Sequence, residues 1–108
     1  MRFLLLLATA AAAQTPPDGA KLLRAGKTAE ARALLERYVG ERPGDAEGWF
    51  QLARTHLAEF HLTGSRVVVD LAIESLAAAL KRNPDHVYAL KAKSVLHARA
   101  ELLHYDPN

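Results

Sequence analysis

Cysteine is absent from the 108 residues. That excludes disulfides, thiolate metal sites and cysteine nucleophiles, and leaves stability to packing or assembly. Glycine numbers only six, and no Gly-rich loop that would cradle a phosphate is formed from them. Neither sign of charge prevails, with 14 basic against 12 acidic side chains. Lys21, Arg32, Arg54, Lys81 and Arg99 are dispersed among Glu36, Glu47, Asp70 and Glu101, without the basic stripe that a phosphate backbone requires, so nucleic acid is not an expected partner. Also missing are an H-E-x-x-H pair and a nucleophile elbow. Carboxylates such as Glu36 and Asp70 stand among basic residues and read as surface ion pairs. The chain is therefore expected not to be an enzyme, and nothing in it asks for a cofactor.

Long apolar runs are scarce as well. The one at the start, in MRFLLLLATAAAAQ, follows a single basic residue, Arg2, and runs from Phe3 to Ala8, ahead of small residues in which Ala11 and Ala13 form an A-x-A pattern. A membrane-spanning helix needs roughly 20 apolar residues, and Gln14, Thr15, Pro16 and Pro17 end this run too early. Residues 1–13 read as a secretory signal peptide, 14–17 as a short linker and 18–108 as one domain. The expectation is export to a periplasm or to the medium, with no stable membrane anchor after cleavage.

No alternating strand pattern or Asn-Gly hairpin turn follows residue 17, whereas apolar residues recur at helical intervals throughout. Ala31, Leu34, Leu35, Tyr38 and Val39 form one stripe between Gly26 and Pro43. Trp49, Leu52, Ala53, His56, Leu57 and Phe60 form a second, with Asp45 placed to cap it. A third runs through Val69, Ala72, Ile73, Leu76 and Leu80 and stops at Asn83-Pro84, after which Asp85 is placed to cap a last helix reaching about Tyr105. Asp18 opens a short helix through Leu22 and Leu23. Five helices are predicted, with Thr63-Gly64-Ser65 as the break between the second and third stripes.

ERPGDAEGWFQLA and KRNPDHVYALKA repeat one another: Pro43 matches Pro84, Ala31 matches Ala72, Leu35 matches Leu76 and Trp49 matches Leu90, all 41 residues apart. Two helices with one apolar stripe each cannot close a core, so such pairs stack and share a seam.

The spacing W-x2-L-A-x2-H at residues 49–56, followed by Ala72, Leu76 and Pro84, resembles the tetratricopeptide repeat. The resemblance covers roughly residues 18–105. It implies an all-α fold of antiparallel helix pairs in a right-handed superhelix, here about two pairs plus a C-terminal capping helix. Trp49 would fill the space between the helices of a pair, Ala53 would be small where the paired helix crosses, and His56 stands where a tyrosine is common. The interval of 41 exceeds the family's usual 34. The seven extra residues fall between Ala58 and Val68, so both helices of that pair should run about one turn longer, with Phe60, Leu62, Val67 and Val68 packed at the tip under Gly64. The last helix should present a polar outer face through Lys91, Lys93, Arg99 and Glu101.

The same resemblance implies a protein-interaction module whose first helices line a groove for a peptide of another protein. Phe50, Gln51 and Arg54 from one helix and Tyr88, Lys91 and Val95 from the last would face it. The carboxylate clamp of chaperone-binding members does not carry over, because Phe50 and Arg54 stand at two of its positions. One alternative is a homo-oligomer built through the exposed repeat ends, without a separate ligand. Another is a metal-binding helix, since His97, Glu101 and His104 share a face; yet His97 and His104 lie about 10.5 Å apart along the axis, too far to meet on one zinc.

Overall fold

A computed structural model of the chain describes the backbone of residues 16–104 and the side chains of residues 16–98. Residues 1–13, the start of the linker, residues 105–108 and the side chains of Arg99, Glu101 and His104 lie outside the described residues. Five helices fill the rest: α1 (Gly19–Arg24), α2 (Thr28–Glu41), α3 (Ala46–Thr63), α4 (Arg66–Arg82) and α5 (Val87–His104). No strand occurs among the described residues. α1 with α2 and α3 with α4 form two helix pairs, and α5 packs on α4 as the start of a third layer.

Local chemistry sets the boundaries. Asp18 caps α1 by accepting the Lys21 N–H at 3.3 Å, and Asp45 caps α3 by accepting the Glu47 N–H at 3.0 Å, each satisfying a donor that the first turn leaves free. The turns after α1 and α3 pass through Gly26 and Gly64 at φ +76° and +68°, a left-handed conformation that glycine adopts without the Cβ clash other residues meet.

Two clusters make the core. Leu35, Tyr38 and Val39 of α2 close on Leu52 of α3. Ala53 of α3, Val69, Ala72, Leu76 and Ala79 of α4, and Ala89 and Leu96 of α5 form the other. Trp49 touches both, so it lies at the junction of the two repeats and is shared between the pairs instead of filling one of them. Its Nε1 donates to the Pro43 carbonyl at 2.9 Å. The Arg82 guanidinium from the end of α4 lies 5.2 Å from its ring and also donates to Pro43. Proline, indole and guanidinium thereby tie the α2–α3 turn to the end of α4.

Close approach is bought at two glycines. A Cβ at Gly48 would lie 2.7 Å from the Tyr38 ring, and one at Gly19 would lie 2.9 Å from Thr55 Oγ1. With its ring against Gly48, Tyr38 donates its hydroxyl to Asp45 Oδ2 at 2.5 Å. Burial, then this hydrogen bond and the carboxylate's charge, push the phenol up to about 12. Asp45 therefore caps one helix while it anchors another.

The extra residues are helical, as the register requires: α3 runs 18 residues to Thr63 and α4 runs 17 from Arg66. The packing expected at their tip is corrected. Phe60 and Val68 are half-buried, but Leu62 and Val67 are 74% and 68% exposed, because the lengthened helices meet along one seam and these two side chains fall on other sides. Leu34 is likewise 37% exposed. Of the polar face expected of α5, Lys91 is exposed and Lys93 half-buried, and Val87, Tyr88, Leu90 and Val95 of the same helix are 47% to 70% exposed as well.

Candidate partner-binding groove

α5 is held against α3 chiefly at one end. Its first turn is capped by His86, where the sequence suggested Asp85. His86 Nδ1 accepts the Ala89 N–H at 3.1 Å, which places the ring proton on Nε2, and Nε2 donates to Glu47 Oε2 of α3 at 2.9 Å. Asp85 instead gives its own N–H to Asn83 Oδ1 at 3.2 Å. Phe50 lies against the His86 ring at 4.7 Å between centroids and 6.4 Å from Tyr88. Along α5, Ala89 and Leu96 are buried and Ala92 half-buried, the i, i+3, i+7 spacing that presents one face to the core.

Above that face, α3 and α5 leave two clefts between them. Phe50, Gln51, Arg54 and Tyr88, all predicted for the groove, line one of about 400 Å³ together with Glu47. Lys91 and Val95, the other two, line a second of about 430 Å³ with Leu57, His61, Ala92 and Leu96. Among the described residues both clefts draw their walls from α3 and α5. From Glu47 to His61 the groove side of α3 extends about 21 Å at 1.5 Å per residue. Its polar residues form a short chain: Glu47 Oε1 accepts from Gln51 Nε2 at 3.0 Å, and Gln51 Oε1 accepts from Arg54 at 3.3 Å. Arg54 and Lys91 are exposed and aligned with apolar neighbours, a mixture suited to an apolar contact with a charged flank.

The register missed Glu47, His86, Leu57, His61, Ala92 and Leu96. A signal for His86 existed, since it stands 41 residues after Asp45 and does for α5 what Asp45 does for α3. His97 is exposed. Among the described residues no three His, Asp or Glu side chains lie together to hold a metal, and no helix there is long and apolar enough to cross a membrane.

A family model described as tetratricopeptide repeat matches residues 2–55, half of the chain. The chain belongs to the tetratricopeptide repeat family. The match takes in α1, α2 and the first half of α3, and the second pair repeats that pattern at the interval of 41. Tetratricopeptide repeats generally mediate contacts between proteins, so a protein-interaction role is the general one for this chain. Neither the curated proteins nor the solved structures yield a match.

Proposed function

We propose that this tetratricopeptide repeat protein is a small exported adaptor that holds a segment of another protein in the α3–α5 groove, without catalysis of its own. One observation carries the reading: Tyr88 and Val95, 70% and 54% exposed, line clefts beside exposed Arg54 and Lys91. Large apolar side chains next to unburied cations are costly surface for a free domain and ordinary surface for a binding site. Export rests on Arg2, the Phe3–Ala8 run and the Ala11, Ala13 pattern.

A photo-crosslinking amino acid placed at Tyr88, with a control at Leu71 on α4, tests it in the native envelope fraction. Crosslinks to one discrete protein from position 88, absent from position 71 and lost on Arg54→Glu, are expected. Equal labelling from both positions would remove the groove from the account.

One observation favours another reading. Leu90 is 47% exposed and stands about 200° round α5 from Tyr88, an apolar position available to a second copy. Light scattering of the native chain and of Leu90→Asp distinguishes this: a dimer that Leu90→Asp disperses is built through that position, and a monomer removes the second copy from the account. Cleavage after the leader is a separate question, which the intact mass of the exported protein decides.

A further inference from the structure

The two clefts differ in how they close. At the Glu47 end, α3 and α5 are bridged by His86 and by the Phe50 and Tyr88 rings. At the other end no side-chain hydrogen bond joins the two helices among the described residues, and the cleft between them has an apolar floor of Leu57, Ala92, Val95 and Leu96. The groove is thus bridged at the Glu47 end and unbridged at the other, its open end. His61, on its lining, belongs to the stretch by which this chain exceeds the usual repeat length.

Exposed cations stand along the rim. Lys91 and His61 line the open cleft, and Arg54 lines the adjoining one. In helical register Arg54 falls between Phe50 and Leu57, and Lys91 between Tyr88 and Val95. Among the described residues no carboxylate lines the open cleft. Glu47 lines only the bridged end, where its two oxygens accept from Gln51 and His86. Glu59, the nearest acid in sequence on α3, takes Arg32 of α2 at 2.9 Å.

We infer that the open end of the groove is a subsite for one large apolar side chain of an internal segment of the partner, with acidic residues on either side of it. The apolar group seats on Leu57, Ala92, Val95 and Leu96, displacing water from a concave apolar floor. The flanking carboxylates pair with Arg54 and Lys91, and His61 offers a ring N–H beyond them. A basic flank meets like charges and is rejected, so the rim supplies selectivity more than strength. This inference rests on the groove reading and narrows it to a partner class.

End-blocked peptides test it, since acetyl and amide ends remove any terminal carboxylate. Three are compared by fluorescence anisotropy on the full chain: a central leucine flanked by glutamates, the same flanked by lysines, and the glutamate peptide with alanine in place of leucine. The glutamate–leucine peptide is expected to bind at least about tenfold more tightly than either control, against lysine because two exposed ion pairs replace two repulsions and against alanine because most of the buried apolar group is lost. Higher salt should narrow the gap to the lysine peptide. Ala92→Leu, which fills the open cleft, should abolish binding. Because Ala92 also packs in the core, Val95→Asp, at an exposed position, serves as the second variant and should do the same. Arg54→Glu with Lys91→Glu should invert the preference. Equal binding of the glutamate and lysine peptides, or no binding of any, overturns the subsite. Binding that survives Val95→Asp but is lost on Tyr88→Ala also overturns it while leaving the groove reading standing.

Discussion

His56 shows how a single residue can depart from its family's habit and leave a measurable trace. Where a tyrosine is common, this chain buries an imidazole to 3% exposure. Its Nδ1 lies 3.5 Å from Glu59 Oε1, and neither atom has a hydrogen-bond partner. Burial lowers the histidine pKa below its ordinary 6.5 and outweighs Glu59 and Glu36, which raise it; Arg32 adds to the lowering. A group whose folded pKa is depressed binds its proton more readily when unfolded. The stability it supports is thus present above pH 6.5 and drains away as pH falls from there through the folded value. Urea midpoints of the native chain should drop between pH 7 and pH 5, and those of His56→Gln should drop less. Parallel curves would show that His56 does not carry the dependence.

At the scale of elements, the helices were legible because their stripes and stop signals agree: Asp18, Gly26, Asp45, Gly64 and Pro84 each mark a boundary that the backbone obeys. Side-chain fates at the ends of helices were less legible. Leu62 and Val67 are apolar in a stretch correctly read as helix, yet periodicity cannot say where a helix outruns its neighbours. The α5 cap was misassigned to Asp85 for a related reason. Aspartate is the commoner capping residue, and only the repeat register, which sets His86 on Asp45, contains the correction. All six predicted groove residues line one or other cleft, because the helical register fixes the faces of α3 and α5. Less legible was the Glu47–His86 bridge at one end of the groove, a contact across 39 residues that no local pattern displays. His86→Ala removes both the cap and the bridge, which should cost about 1–3 kcal/mol. The loss should fall on α5: its amides should exchange faster while those of α4 hold. Uniform acceleration along the chain would mean that α5 is not a separately held element.

For the whole molecule, two pairs and one further helix are near the lower limit for a repeat array, since about three repeats are usually needed. The chain meets this with a core that crosses the repeat boundary. Trp49 belongs to both clusters, and Arg82 on Pro43 ties the end of α4 to the α2–α3 turn. The same economy leaves α5 covered on one side only, and its uncovered apolar residues are the material of the proposed site. Binding in the groove and stability of the last layer are therefore linked, because a ligand wedged between α3 and α5 stabilises only the state in which both are in place. Amide hydrogen exchange of the full chain, with and without the segment recovered by crosslinking at position 88, tests this most directly. The account predicts slower exchange in residues 50–61 and 88–96 on binding, with α2 unchanged. Slowing confined to α2, or to no segment at all, would contradict it.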